Sequence, residues 1–494
     1  MVMIDVLKNH ATEIGQQTML VYEGNETTYA EFYEQAKSIA SYLQSKSFQK
    51  DEIIAILMDN SDQFPIVYFA IQMAGYIAMP INTKLATPEI AYIIDNSNAK
   101  AIIFDEHLEQ LIEPIQHPFQ LKLKMTELAK LSTTGLDYSE PEIHADDVAV
   151  VMYTSGTTGK SKGVMLTHGN IYETARNWSV PMELTSKDRL FICTPLFHCA
   201  GAHVFMVPTF LNGATFIIES SFSPKNIIQK LSETEATFFF GVPSMYTLIL
   251  NSEVDDFDVS NLRLFGYGAA PMPYELVKRL KDAYPKVKVQ NFYGQTENSP
   301  AATSLLDEDA LTKIGSVGKA LMNTEVQISD GEGGVLPNGY VGEIIVKGPQ
   351  VMKGYLNNPD ETAFALRDGW LYTGDLGRMD DEGYLYIVDR KKDMIIRNGE
   401  NIYPIEIEEV LFQMPEIFEA AVIGLPHAVY GEVPKAYVRV KKGKTLSEQQ
   451  ILDYCVTQLA KYKLPYDIEF IDELPRNASG KVLKHALKKQ GGFI

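Results

Sequence analysis

Tyr153-Thr-Ser-Gly-Thr-Thr-Gly-Lys-Ser-Lys-Gly-Val164 threads the hydroxyl residues Thr154, Ser155, Thr157 and Thr158 between Gly156 and Gly159, then adds Lys160, Ser161, Lys162 and Gly163. Glycines let a backbone turn sharply and bring its N–H groups close to a ligand. Hydroxyls supply further donors and lysines supply positive charge, which together have the composition of a phosphate cradle. Upstream, Val148-Ala-Val-Val-Met152 reads as a short buried strand. The loop therefore leaves a strand end, where ligand loops of α/β sheets lie. A Walker A loop needs G-x-x-x-x-G-K-[ST]. Gly159-Lys160-Ser161 fits its end, but the first glycine would fall at Thr154 and stands instead at Gly156. The spacing argues against a P-loop NTPase, and a plain Gly/Ser linker would need neither paired lysines nor a preceding strand.

The rest of the chain bounds what such a loop can serve. A length of 494 residues exceeds one hydrophobic core and implies at least two domains. Forty-four basic residues against 64 acidic ones give a net charge of −20. That balance opposes a general nucleic-acid binder. Cys193, Cys199 and Cys455 are widely spaced with no C-x-x-C pair, so no disulfide framework or zinc site is implied. Cys193 and Cys199 flank His198, yet the surrounding segment is apolar, which argues against a thiol nucleophile. The N-terminal residues lack a basic region followed by a long apolar run, so no signal peptide is expected. The most apolar window, Phe64 to Ile81, is interrupted by Pro65, Gln72, Gly75 and Pro80. It reads as a buried helix followed by a strand rather than a membrane segment. A cytoplasmic chain is expected.

Strand and helix patterns alternate from the N-terminus. Glu26-Thr27-Thr28-Tyr29 offers caps for a helix to about Ser45, Ile53–Leu57 is a buried strand, another helix starts at Asn60 or Ser61, and Tyr76–Met79 and Ala101–Phe104 are strands. After the glycine loop come strands at Arg189–Cys193, Ala214–Ile218, Ala236–Phe240, Leu262–Tyr267 and Val287–Tyr293, with a buried helix over His203–Phe210. This βαβ spacing predicts mostly parallel sheets covered by helices. From about residue 315 glycines become frequent and strands shorter, which reads as an antiparallel, barrel-like section to about 389. The last hundred residues read as a small α+β domain joined near residue 390. The expected division is 1–389 for the large domain and 390–494 for the small one.

Five motifs in order identify a resemblance that spans nearly the whole chain. They are Tyr153–Val164, Tyr293-Gly-Gln-Thr-Glu297, Tyr372-Thr-Gly-Asp375, Asp389-Arg390 with Asn398-Gly-Glu-Asn-Ile-Tyr-Pro and Glu406, and Pro475-Arg-Asn-Ala-Ser-Gly-Lys481. The chain resembles the adenylate-forming acyl-CoA synthetases, whose superfamily includes luciferases and carrier-protein adenylation domains. The resemblance implies a large domain of two helix-covered sheets plus a distorted antiparallel barrel, followed by a small mobile C-terminal lid. It implies ATP, Mg²⁺ and coenzyme A as reactants and cofactor, a small carboxylic acid as substrate, and no integral membrane segment, and it leaves a homodimer open. The implied chemistry has two steps, formation of an acyl-adenylate with loss of pyrophosphate and attack of a thiol on that adenylate.

Residue by residue, the resemblance implies that Thr154, Ser155, Gly156, Thr157, Thr158, Gly159, Lys160 and Lys162 hold the β- and γ-phosphates. Glu297 would ligate Mg²⁺, a role a hard carboxylate oxygen suits, and Thr296 would bond the α-phosphate. Tyr293, with Gly294 opening the turn, would stack on adenine against a wall of Gly268, Ala269 and Ala270. Asp375 and Arg390 would hold the ribose, a carboxylate being a good acceptor for paired hydroxyls. Lys481 would bridge substrate carboxylate and α-phosphate. Lys392 matches the hinge position, about which Lys481 would be exchanged for the Gly399, Glu400 and Asn401 face that admits the thiol. His198 would sit beside the acyl carbonyl and gate the acid pocket.

The expected pocket walls are His203–Val207, Phe239–Met245, Tyr267–Gly268 and Asn298–Ala302. They contain no Lys or Arg, which favours a fatty or aromatic monocarboxylate over a dicarboxylate. A medium- or long-chain fatty-acid–CoA ligase leads. An aryl or o-succinylbenzoyl-type ligase differs only in its acid, and a carrier-protein-loading enzyme only in its thiol. A non-catalytic nucleotide-binding protein is disfavoured by the complete motif set.

Overall fold

The computed structural model describes residues 1–46, 48–131, 137–154, 161–252, 257–270, 272–391, 393–398, 400–427, 429–476 and 482–490. Of the residues singled out above, Ser155, Gly156, Thr157, Thr158, Gly159, Lys160, Lys392, Gly399 and Lys481 lie outside the described residues.

The run Ile53–Leu57 is apolar at every position and is buried on both faces. That is the signature of a central parallel strand covered on both sides. It pairs in parallel with Ile77–Pro80 and Ala101–Phe104, and Ala101–Phe104 pairs with Leu121–Lys124. On the other side Val148–Thr154 joins Ile77–Pro80 in parallel and then turns antiparallel into Lys162–Thr167 and Gly354–Tyr355. The apolar window resolves into the buried helix Gln63–Met73 and the strand Ile77–Pro80. Gly75 turns the chain between them at φ +86°, a conformation glycine adopts without strain. Thr28 caps the helix Tyr29–Gln44 through a reciprocal box with Glu31, Thr28 Oγ1 accepting from Glu31 N at 3.2 Å.

The second sheet carries parallel strands in the order Thr215–Ile218, Arg189–Ile192, Phe238–Gly241, Leu264–Gly268 and Lys288–Tyr293. It continues without a break through Thr303–Leu305 and Ser316–Ala320 into the antiparallel strands Leu385–Arg390, Trp370–Met379, Gly342–Lys347 and Glu325–Ser329. The antiparallel section of this sheet that follows Lys288–Tyr293 starts with Thr303–Leu305, which folds straight back on it. The helix Met3–Glu13 and the strand Thr18–Tyr22 had no expected counterpart. The strand joins this second sheet beside Thr215–Ile218, with Leu20 opposite Phe216.

A dense core between the two sheets contains Phe32, Phe69, Trp178, Phe205, Phe210 and Phe292. The helix predicted over His203–Phe210 is present in two parts, a wide π-type turn Ala200–Met206 and the α-helix Val207–Leu211. Pro208 explains the change, since its ring clashes with the carbonyl four residues back and it offers no N–H. The Val207 amide accordingly reaches Ala202 O, five residues back. The C-terminal part has its own core around Ile395, Ile402, Ile407, Leu411, Val422, Val438, Ile451 and Cys455. Its sheet pairs Ile417–His427 with Gly431–Val440 and packs the helix Pro404–Phe412 against them. Among the described residues no helix is long and apolar enough to cross a membrane.

Candidate active site

The strands Val148–Thr154 and Lys288–Tyr293 come from different sheets, yet their C-terminal ends lie in one region. Lys288–Tyr293 leads into Gly294 and the short helical turn Thr296–Asn298. That turn contacts the strand Lys162–Thr167, which pairs with Val148–Thr154. A Cβ at Gly294 would lie 2.2 Å from the Pro300 carbonyl carbon, so the backbone doubles back too closely for any side chain. Asn298 closes the turn by accepting the Gln295 N–H at 2.8 Å.

Asp375 is drawn to the same place by the strand Trp370–Met379. Gly374 stands at φ +71° and donates to Glu343 Oε1 at 3.0 Å, which turns the next side chain inward. Asp375 then lies opposite Arg390 in the ladder, with Arg390 Nε 3.4 Å from Oδ1. Its Oδ2 accepts from Tyr293 Oη at 2.8 Å and Gln295 Nε2 at 2.7 Å. Tyr293 is 8% exposed and packs among Ala302, Ile344, Val346 and Leu385. Burial, with the Asp375 carboxylate beside it, raises the phenol well above its usual range, so it serves as a donor. Gln295 was missed from the sequence because only its neighbours carry obvious chemistry.

Glu297 is half-buried and accepts from Tyr355 Oη at 3.0 Å, while its backbone oxygen accepts from Met352 N at 2.8 Å. Lys162 stands opposite Thr154 where the strand Lys162–Thr167 begins. Its ammonium pairs with Glu361 and lies 5.1 Å from the centroid of the Tyr355 ring. The two predicted residues Lys162 and Glu297 are thus joined through Tyr355, which neither composition nor spacing indicated. Asn358-Pro-Asp-Glu361 reads locally as a helix start, and Asn358 does accept from Glu361 N at 3.3 Å. Its partner Lys162 is 199 residues away, beyond any local signal.

Glu297 suits a hard cation shared with phosphate oxygens, because Mg²⁺ is held by one or two carboxylates plus substrate rather than by a full protein cage. The described residues that do cluster at ligand distance, Asp59, Asp105 and His107, lie beyond strand ends of the first sheet and are tied to one another by hydrogen bonds. On the far side, the strand Leu264–Gly268 ends in Ala269 at φ +65°, and Ala269 and Ala270 are exposed. A Cβ at Gly268 would lie 2.5 Å from the Phe292 carbonyl oxygen, so glycine is required there.

His198 lies in the loop after Arg189–Ile192, its ring 5.6 Å from that of Phe197. Asn60 ties this loop to the first sheet, accepting from Leu196 N at 2.8 Å. Burial, assisted by Lys84, pushes the His198 imidazole down to about 4, which keeps it neutral. His203 is completely buried, and its ring nitrogens are engaged by Tyr68 Oη at 2.8 Å and Cys199 Sγ at 3.3 Å. Burial also pushes the Cys193 thiol up to about 12 and raises Cys199. Neither is a nucleophile, in keeping with the sequence.

The strand Phe238–Gly241 divides its phenylalanines between two faces. Side chains alternate across a strand, so Phe238, Phe239 and Phe240 do not face one cavity. Phe238 and Phe240 meet Phe205 and Phe292 between the sheets, while Phe239 packs on the other face with Phe191, Tyr246 and Phe265.

In the C-terminal part, Glu400 is exposed and pairs with Arg397 across a short hairpin. Arg476 and Val482, which bracket the segment carrying Lys481, form an antiparallel bridge. Lys484 pairs with Glu408 at 2.8 Å. Asp389 accepts from Ile405 N at 3.2 Å and is pushed up to about 6 by burial, with Lys484 opposing the shift.

The family model for AMP-binding enzymes matches residues 7–356, and that for the AMP-binding enzyme C-terminal domain matches residues 406–481. The chain belongs to the AMP-binding enzyme family. It is 37% identical over 471 residues to a long-chain-fatty-acid–CoA ligase of Mycobacterium tuberculosis, covering 94% of this chain and 93% of that one. It is 36% identical over 480 residues to a 2-succinylbenzoate–CoA ligase of a Geobacillus strain, covering 96% and 94%. The o-succinylbenzoate coenzyme A synthetase of Bacillus subtilis, solved with ATP and magnesium ion, superposes with a TM-score of 0.88 at 34% identity, covering 98% of this chain and 99% of that one.

Proposed function

We propose that this chain is an AMP-forming acyl-CoA ligase that activates an apolar monocarboxylic acid, most simply a medium- or long-chain fatty acid. Family membership supports the acid–thiol ligase activity itself. The observation that supports the site reading is that Tyr355 links Glu297 to Lys162, which stands opposite Thr154, while Gln295, two residues before Glu297, donates to Asp375.

The substrate carboxylate attacks the α-phosphorus of ATP, and the bond from that phosphorus to the bridging oxygen breaks to release pyrophosphate. The thiol of coenzyme A then attacks the acyl carbonyl, and AMP leaves. Such transfers depend mainly on positioning and charge neutralisation. Lys162, with Lys160 and the hydroxyls of 154–158, binds the β- and γ-phosphates. Glu297 is the group that would hold Mg²⁺, which would neutralise phosphate charge when bound. Thr296 bonds the α-phosphate, and Tyr293 with Gly268, Ala269 and Ala270 encloses the adenine. Asp375 keeps unused acceptor capacity beyond Tyr293 and Gln295, and with Arg390 it orients the ribose. Neutral His198 closes the pocket against water without adding charge near the acyl group. Lys481 bridges carboxylate and α-phosphate in the first step. Rotation at Lys392, next to the 389/390 boundary, then exchanges Lys481 for the Gly399 and Glu400 face that admits the thiol.

An aryl or o-succinylbenzoyl-type ligase is the second reading, favoured by the 36% identity to the 2-succinylbenzoate–CoA ligase. Pyrophosphate release across a panel of fatty, aryl and dicarboxylic acids, with and without coenzyme A, tests both. Strongest release with fatty acids is expected. Preference for aryl acids selects the second reading, and no release with any acid refutes the activity.

A further inference from the structure

Lys162 and Glu297 carry opposite charges on neighbouring elements, yet they do not pair with each other. Direct pairing would neutralise both before any substrate arrived. The segment 352–362 prevents it. Gly354–Tyr355 is hydrogen-bonded to Lys162–Thr167 with Tyr355 opposite Val164, and Leu356 N donates to Gly163 O at 2.7 Å. Met352 N fixes the Glu297 carbonyl, and Thr362 Oγ1 accepts from Tyr355 N at 2.9 Å. The Tyr355 ring therefore stands between the two charges. Its hydroxyl donates to Glu297 Oε1, its face lies toward the Lys162 ammonium, and Glu361 supplies that ammonium with a separate counter-ion. The Lys162 side chain is only 10% exposed, and among the described residues Glu361 is the carboxylate that pairs with it.

We propose that the segment 352–362 is a charge separator and exchange device. Tyr355 is a positioning residue that aims Glu297 at the metal. Glu361 is the resting counter-ion of Lys162, displaced when the polyphosphate of ATP binds and re-paired as pyrophosphate leaves. The exchange sets a ceiling on pyrophosphate affinity, because every departure of pyrophosphate is accompanied by recovery of the Lys162–Glu361 pair. Tyr355 acts through Glu297, so its effect is felt only when the cation is present. The proposal rests on the reading that Lys162 binds phosphate.

Calorimetric titration of the full chain with inorganic pyrophosphate in EDTA, and with ATP at graded Mg²⁺, separates these claims. Lys162→Met is expected to weaken pyrophosphate binding about tenfold or more. Unchanged binding there would overturn the phosphate reading itself. If Lys162→Met does weaken it, Glu361→Gln is expected to tighten pyrophosphate about fivefold, an effect absent in the Lys162→Met background. Equal or weaker binding by Glu361→Gln would overturn the exchange while leaving the phosphate reading intact. Tyr355→Phe keeps the ring and removes the hydroxyl. It is expected to leave pyrophosphate binding in EDTA unchanged and to raise the Mg²⁺ concentration for half-maximal ATP binding about fivefold. Equal weakening with and without Mg²⁺ would reduce Tyr355 to a packing residue and overturn its assigned role.

Discussion

Replacing Asp375 by alanine tests whether the nucleotide site is built on one carboxylate. In the native structure that group accepts from the buried Tyr293 Oη at 2.8 Å and from the part-buried Gln295 Nε2 at 2.7 Å, and it forms an ion pair with Arg390 at 3.4 Å. A buried donor left without an acceptor costs about 1–3 kcal/mol. Tyr293 is the donor left so, because Gln295 is part-buried and its Nε2 also reaches Thr373 O at 3.1 Å, and the expected loss in unfolding free energy for Asp375→Ala is about 1–3 kcal/mol. The Arg390 side chain is 37% exposed and can turn to water, so it adds little. Asp375→Asn keeps an acceptor oxygen and loses only the charge assistance, for an expected loss of about 1–2 kcal/mol. Tyr293→Phe removes one donor and should recover part of the alanine penalty when the two are combined. Urea denaturation of the native protein and these four variants measures this directly. A loss below about 0.5 kcal/mol for Asp375→Ala, or strict additivity with Tyr293→Phe, would refute the network.

Acid should destabilise the fold through buried histidines. Burial pushes His168 down to about 4 and His203 to about 3, so below their ordinary value the unfolded chain binds protons that the native chain refuses. Their contribution is fully present above pH ~6.5 and is lost as pH falls toward 4, with a slope of up to about 3 kcal/mol per pH unit for the pair; a flat unfolding free energy between pH 7 and 5 would contradict it. Gly294→Ala should displace the Glu297 turn, since the new Cβ would meet the Pro300 backbone at 2.2 Å, and a loss of about 5- to 150-fold in ATP affinity is expected from strain of ~1–3 kcal/mol; native ATP binding would refute the close-approach argument. Lys392→Pro should slow thioester formation at least about tenfold more than adenylation if rotation there separates the two steps, and equal loss of both half-reactions would count against a hinge.

Local chemistry was legible in the sequence where the cause is local. The all-apolar Ile53–Leu57, the Thr28–Glu31 capping box and the Gly75 turn each follow from residues within a few positions. The order of the five motifs carried the family, and with it most of the candidate site. Long-range partnerships were not legible. Glu297 and Tyr355 are 58 residues apart, and only the antiparallel addition of Gly354–Tyr355 to the first sheet brings them together. The Phe238-Phe-Phe240 run gave apolarity without face, since alternation divides it between two cores only once its strand is placed in the sheet. The wide turn before Val207 also escaped, although Pro208 was the signal that could have located it.

The most direct test follows the fate of ATP labelled at the α-phosphorus, with acid and coenzyme A present. One labelled AMP and one pyrophosphate per acyl-CoA are expected, with a labelled acyl-adenylate accumulating when coenzyme A is withheld. Labelled ADP with orthophosphate would mean cleavage at the γ-phosphate and would contradict activation through an adenylate.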